Sequence, residues 1–323
     1  MESTGVYWRP VYETIEAESE RYDCLMVVNA HHMRNLPGRK SDVKDAEWIA
    51  TLLRHGLLEN SFIPERTIRD IREFSRLRRS MTEERTRHIN RVEKFLQTHG
   101  FKLSSVLNDI LCVSGRKLLD TLAQTGTLTP EDISNAAGRR LKRPVEEVAA
   151  AVCGSINRAE QSILRLLLKQ LSGVENDLSQ IDLEMKDLSA QYERPLAVLD
   201  SVPGIDTLSA VTILGEIGSA PHKAFATPGH LCSWAGLTSR NDESAGKVKC
   251  KRILPGNPYI KTVLCQVAWA AVRTRNSIFH AWFWSHQGRL GRKKAIIAVA
   301  RKLLKLIYRL LEQDRLFEPD LTA

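Results

Sequence analysis

Eight apolar residues, Leu167, Leu171, Val174, Leu178, Ile181, Met185, Leu188 and Tyr192, follow one another at steps of 4, 3, 4, 3, 4, 3 and 4. Apolar positions in a strand recur every second residue, so this seam commits the segment to one long helix with a narrow apolar stripe. A stripe of that kind needs a second helix beside it. The pattern predicts a coiled coil that pairs protomers into a homo-oligomer, a dimer or tetramer; the competing reading is a helix packed inside its own chain. Gly173 interrupts the seam, at a cost of about 1 kcal/mol against Ala, without breaking its period. A second long helix is predicted from Ile68 to about Thr98. No Gly or Pro occurs there, and Ile71, Phe74, Leu77, Met81, Ile89, Val92 and Leu96 return at helical spacing.

That second helix is basic. Arg66, Arg69, Arg72, Arg76, Arg78, Arg79, Arg85, Arg87, Arg91 and Lys94 share it with five acids. Arginine presents a planar fork suited to phosphates and stacked bases, yet a helix laced by i,i+4 ion pairs has the same composition. The sequence leaves both readings open. The C-terminal end is more one-sided. From His222 to Arg315 there are 18 Lys or Arg and four acids, a balance of +14 in a chain whose total is +9, and no carboxylate lies between Glu243 and Glu312. A solvated face intersperses both signs, so this segment reads as a footprint for a nucleic-acid backbone.

The first hundred residues have the rhythm of an α/β fold. Tyr7 to Glu20 is helix-like, and Cys24-Leu25-Met26-Val27-Val28 is a short apolar run of the kind that forms a buried strand. Ser41 is placed as the N-cap of a helix through Trp48, Ile49, Leu52 and Leu53 that ends near Gly56. Shorter helical pieces follow the long basic helix, broken at Gly115, Gly126, Gly138 and Pro144, and the chain ends in helices from Asn257-Pro258 to Arg273 and from Lys293 to Gln313. The fold class is therefore α/β at the start and mostly α after it. Three parts are expected: 1–100 with the long basic helix trailing, 101–192 as helical linker and coiled coil, and 193–323 as a basic helical domain.

Three local patterns carry chemistry. Asp42 and Asp45 lie one turn apart at the start of a predicted helix. Such carboxylates serve either as partners of the helix dipole or, joined by further carboxylates, as ligands of Mg²⁺ in a phosphoryl-transfer site. Pro203-Gly204-Ile205 lies between two helical patterns, in the form of a helix-hairpin-helix. In that motif the glycine lets the backbone approach, and free amides at the second helix point at a DNA phosphate; a plain connecting turn has the same outline. Ser244 sits in a polar loop followed by Lys247, Lys249, Lys251 and Arg252. Cations there could stabilise charge on a phosphodiester attacked by the serine, and no histidine in the loop offers itself as base.

Cys24, Cys112, Cys153, Cys232, Cys250 and Cys265 lie far apart with no C-x-x-C, so neither a disulfide framework nor a zinc site is signalled and reduced thiols are expected. No run of 18 uncharged apolar residues and no basic-then-apolar leader is present. The expectation is a cytoplasmic protein without a membrane partner.

Five ordered blocks carry a family resemblance: Glu2-Ser3-Thr4-Gly5-Val6-Tyr7-Trp8; Gly38 through Ala50; Val202-Pro203-Gly204-Ile205; Ala235-Gly236-Leu237 with Glu243-Ser244-Ala245-Gly246-Lys247; and Gly256-Asn257-Pro258. Together they resemble the DEDD-type insertion-sequence transposases whose members are guided by a bridge RNA. The resemblance implies a RuvC-like, RNase H-fold N-terminal domain, a coiled-coil connection and a C-terminal transposase domain. It implies that Glu2, Asp42 and Asp45 match the family's Mg²⁺-binding acids and that Ser244 matches its DNA-attacking serine. Element ends and target DNA, with a guide RNA, are the implied partners, held by Pro203, Gly204, Ile205, Lys247, Lys249, Lys251, Arg252 and the basic segments. The family's first aspartate lies on a strand upstream of the glutamate, whereas here Met1 immediately precedes Glu2. The resemblance therefore implies an incomplete metal site, from an internal methionine taken as a start or from a truncated gene copy. Two rival readings follow: a nucleic-acid-binding remnant without catalysis, and a junction-resolving nuclease without serine chemistry.

Overall fold

The apolar run at Cys24–Val28 organises the first part of the computed structural model, which describes residues 1–2, 5, 7–18, 24–28, 42–107, 109–137, 145–152, 154–239, 242–244, 247–250 and 252–318. Val28 bridges Glu2 in parallel and Asn60 in antiparallel sense. The Met1 ammonium donates to the Met26 carbonyl at 2.8 Å, and Ser61 N donates to Val27 O at 2.7 Å. Both Val27 and Val28 are 1% exposed, so the central segment is buried on both faces, as expected of an interior strand. It stops short of a ladder: among the described residues these are isolated bridges. Helix α1 (Trp8–Glu16) and helix α2 (Asp42–Arg54) complete the described part of this unit, which spans Met1–Glu65. α1 is shorter than the expected Tyr7–Glu20. Ser41, the expected N-cap of α2, lies outside the described residues. A complete RuvC-like sheet is thus not what these residues display; the described chain is mostly helical.

The second unit spans Arg66–Ala323. It begins with the long basic helix α3 (Arg66–Thr98), which is built into this unit rather than trailing the first. Small helices α4 (Leu103–Val106), α5 (Val113–Thr125), α6 (Pro130–Ala137) and α7 (Val145–Ala151) follow, then the second long helix α8 (Arg158–Ser189). α8 starts where the sequence makes it start. The Asn157 side chain accepts from Glu160 N and the Glu160 carboxylate accepts from Asn157 N, so two otherwise unpaired amides are satisfied reciprocally.

α3 and α8 lie antiparallel, as the order of their ion pairs requires: Arg78 with Asp182 and Arg85 with Glu175. This arrangement corrects the expected use of the heptad seam. Leu171, Val174, Ile181 and Met185 are buried, and the helix packed most extensively along α8 is α3 of the same chain. The face expected to pair protomers is consumed internally. Where α3 ends and α8 begins, Val92, Leu96, Phe101, Leu118, Leu122, Ile133, Val148 and Leu164 form one core that holds the small helices.

The remaining helices are α9 (Glu193–Asp200), α10 (Thr207–Ile217), α11 (Pro221–Ala224), α12 (Pro228–Trp234), α13 (Pro258–Arg273), α14 (Ile278–Leu290) and α15 (Arg292–Gln313). A hairpin of β1 (Asp242–Ser244) and β2 (Lys247–Cys250) interrupts them. α15 buries Ile296, Val299, Leu303, Leu304, Ile307 and Tyr308 on one face. α12, α13 and α14 pack around it, and the Tyr308 hydroxyl donates to the Phe225 carbonyl at 2.8 Å. Among the described residues no helix is long and apolar enough to cross a membrane. Cys24, Cys112, Cys232 and Cys265 are free thiols, while Cys153 and the Cys250 side chain lie outside the described residues.

Candidate functional site

The hairpin between α12 and α13 carries Ser244. β1 and β2 are antiparallel, with Ser244 opposite Lys247, Glu243 opposite Val248 and Asp242 opposite Cys250, and an irregularity between Asp242 and Glu243. The backbone therefore sets Ser244 beside the turn and directly across from the first of the cations that follow it. Side chains from Arg240 to Lys251, including those of Ser244, Lys247, Lys249 and Lys251, lie outside the described residues; Arg252 is exposed.

Its root is firmly held. Ser239 bridges Ile253, Leu254 N donates to Thr238 O at 3.0 Å, and Asn257 N donates to Trp234 O at 3.0 Å. Lys261 reaches back from α13 to the carbonyls of Leu254 at 3.3 Å and Pro255 at 2.6 Å. Gly236 and Gly256, both at positive φ, interlock here. A Cβ on Gly256 would collide with the backbone of Ala235 and Gly236, so glycine is required by space as well as by conformation.

Behind the root lies a group that sequence reasoning missed. Glu216, in the last turn of α10, is fully buried. Arg76 of α3 grips its carboxylate with Nε at 2.8 Å and Nη2 at 3.0 Å, and Asn257 Nδ2 donates to it at 2.7 Å. Arg72 donates to the carbonyls of Gly215 and Glu216, each at 2.9 Å, and its Nε lies 3.8 Å from the carboxylate. Burial pushes the Arg72 guanidinium down to about 10, against the opposing pull of Glu216. The available signal was a lone acid in the apolar helix α10, but its partners are 140 residues away for Arg76 and 41 for Asn257.

Pro203-Gly204-Ile205 occupies the turn between α9 and α10, so the helix-turn-helix outline is present. The close approach that Gly204 permits is internal. At φ +89° its absent Cβ makes room for the backbone of α13 at Val267 and Ala271. Ile205 is buried, and Asp206 caps α10 by accepting from Ser209 N at 2.8 Å. Those hydrogen bonds hold the Asp206 carboxyl below its ordinary range. A carboxylate thus stands where the helix-hairpin-helix expectation put a DNA phosphate. This corrects the reason for Gly204 from phosphate approach to helix packing.

The two basic runs have separated in role. On α3, Arg72 and Arg76 serve Glu216, Arg78 pairs with Asp182, and Arg85 shares Glu175 with Arg116. Burial favours the neutral acid at Glu175, but hydrogen bonds from Arg116 and Arg85 outweigh it and hold the carboxyl low. On the C-terminal segment Arg273, Arg275, Arg289, Arg292, Lys293, Lys294, Arg301 and Lys302 are exposed. Aromatic rings stand among them. Arg292 lies 5.0 Å over Trp269, Lys302 lies 5.0 Å over Trp282, and Trp284 is 56% exposed.

In the first unit, Glu2 is joined to Val28 by its bridge, and Asp42 and Asp45 occupy the first turn of α2 with side chains outside the described residues. The structure does not bring the three together as a described cluster: among the described residues no three of His, Cys, Asp and Glu gather as metal ligands.

A family model described as "Transposase IS116/IS110/IS902 family" matches residues 196–283. A model of IS110-type DEDD transposases, described as "Transposase", matches residues 1–100. A protein of Sinorhizobium fredii (strain NBRC 101917 / NGR234) described as "Putative transposase y4rJ" is 29% identical over 262 residues, covering 76% of this chain. The chain spans 58% of that relative's length.

Proposed function

This chain belongs to the IS110 family of DEDD transposases, and we propose that it breaks and rejoins DNA strands through Ser244. The observation that carries the reading is the placement of Ser244 on a rooted hairpin, across from Lys247 and within a basic, acid-poor segment. In the proposed step the serine hydroxyl oxygen bonds to a backbone phosphorus. The bond from phosphorus to one deoxyribose oxygen breaks, that oxygen leaves protonated, and the proton lost by the serine balances it. The phosphoserine ester conserves the bond energy, so the reverse attack by another strand's hydroxyl reseals DNA and frees the serine. Lys247, Lys249, Lys251 and Arg252 are proposed to stabilise the charge on the phosphoryl oxygens.

Glu2, Asp42 and Asp45 would hold magnesium. An all-carboxylate oxygen set suits this hard cation, and two acids in one helical turn can share it with substrate phosphates. Bound there, magnesium would supply neutralisation of phosphate charge. DNA is proposed to lie along the exposed cations of α14 and α15. A guide RNA and a homo-oligomer complete the proposal; pairing of protomers would then use surfaces other than the seam buried against α3.

The test is a covalent-adduct assay on a junction substrate. The wild-type chain is expected to give a denaturant-resistant protein–DNA adduct that Ser244→Ala abolishes. An adduct that survives in Ser244→Ala would refute the nucleophile. Tight DNA binding without any adduct in the wild type would favour the non-catalytic reading instead.

A further inference from the structure

We propose that Glu216 and Asn257 form a latch through which α3 sets the position of the Ser244 hairpin, making Glu216 and Asn257 positioning residues; this rests on the serine reading above.

A buried carboxylate on an apolar helix is costly unless it is paired and hydrogen-bonded, and an apolar residue of similar size would often serve stability as well or better. Glu216 therefore needs a reason beyond filling space. Its partners supply one, because they join α10 to two other elements, α3 and the start of α13. The fork of Arg76 fixes the plane of the carboxylate from α3. The Arg76 guanidinium is itself held 4.2 Å over the Tyr259 ring at the start of α13. Arg72 binds the last carbonyls of α10, groups that a helix end leaves without partners. Gly215 lets this happen at close range, since a Cβ there would press on the Arg72 backbone at 3.1 Å.

Asn257 reads this arrangement out to the hairpin. Its Nδ2 donates to Glu216, while its Oδ1 accepts from Tyr259 N at 2.9 Å and Ile260 N at 3.4 Å, capping α13. Its backbone N is tied to Trp234 O at the end of α12. Every functional atom of this residue is thus committed, and it stands only a few residues from the Ser239–Ile253 bridge that closes the hairpin root. A displacement of α3 is carried through Arg76, Glu216 and Asn257 to that root. Among the described residues the two hairpin strands pack chiefly on each other, so their direction follows the root.

The decisive variant is Asn257→Ser. Serine keeps a capping oxygen but is too short to reach Glu216. Hydrogen-exchange protection is expected to fall by about tenfold or more, the loss of one hydrogen bond to a charged group, in residues 247–254 while α13 and α15 keep theirs. Adduct formation should slow by a similar factor, with duplex affinity unchanged. Asn257→Asp is the companion variant. It keeps size and cap but sets a second carboxylate against Glu216, whose other charged neighbours are Arg72 and Arg76 of α3. The two carboxylates repel each other, so its hairpin protection should fall at least as far as in Asn257→Ser. Unchanged hairpin protection and adduct rate in Asn257→Ser would overturn the latch, and so would a loss of protection spread evenly over all helices. A wild-type chain that forms no Ser244 adduct sinks the serine reading, and the exchange data then decide the latch alone.

Discussion

Two arginine- and lysine-rich regions of this chain resemble each other in composition and are used in opposite ways. Arg72, Arg76, Arg78 and Arg85 of α3 face acids of their own unit: Glu216, Asp182 and Glu175 lie on α10 and α8, more than 80 residues away in sequence. Those of α14 and α15 face solvent, in a stretch that has no carboxylate between Glu243 and Glu312. Positive charge on a helix does not by itself indicate a nucleic-acid surface. What distinguishes the two cases is whether the fold delivers carboxylates to it, and only the C-terminal segment lacks them locally.

The largest expected effect comes from removing the acid at the centre of the first region. Glu216→Ala leaves the half-buried Arg72 and the more exposed Arg76 without their anion and should cost about 3 kcal/mol of unfolding free energy, read by urea or thermal denaturation. A cost below that of an ordinary surface substitution would mean that the α3 cations are not structural, and the contrast would fail.

Charge removal in the second region should do the reverse. Lys293→Gln, Lys294→Gln and Arg301→Gln combined should leave stability within about 0.5 kcal/mol per site. They should weaken duplex binding and lower the salt dependence of log affinity by about one unit for each DNA phosphate left without its cation. A fall in melting temperature with unchanged DNA affinity would invert the comparison.

The smallest effect is a pH dependence. Glu175 has a folded pKa held below its unfolded value of about 4.3, so its contribution is present above that pH and is lost as pH falls through the lower folded value. Glu175 is partly exposed, which screens the pair with Arg85 and Arg116. Glu175→Gln should therefore show a slightly shallower loss of melting temperature than wild type on acidification below about pH 4.3. Parallel acid profiles would show that the clamp contributes nothing.

Much of the secondary structure was legible because its signals are local. The absence of Gly and Pro gave α3 and Asn257-Pro258 opened α13, while the Asn157 and Glu160 capping pair that opens α8 is a local signal the sequence reading passed over. The same locality misled where one signal has two tertiary uses. The heptad seam of α8 requires a helix beside it but cannot say whose, and the fold supplies α3. Gly204 requires close approach but cannot say of what, and the fold supplies α13. At the candidate site, Ser244 and its cations were visible as residue types, while the root that holds the hairpin was not.

What the sequence determined by itself is therefore the long helices α3 and α8 and the terminal helices α13 and α15, the concentration of positive charge at the C-terminal end, and the ordered motifs by which the family is recognised. What only the tertiary structure decided is the pairing: the seam inside the chain, the arginines of α3 on distant acids, and Glu216 at the meeting of three helices. Helix starts, stops and periods are set by neighbours a turn or two away. A buried ion pair is set by groups that chain closure brings together across more than a hundred residues, and no local pattern records that distance.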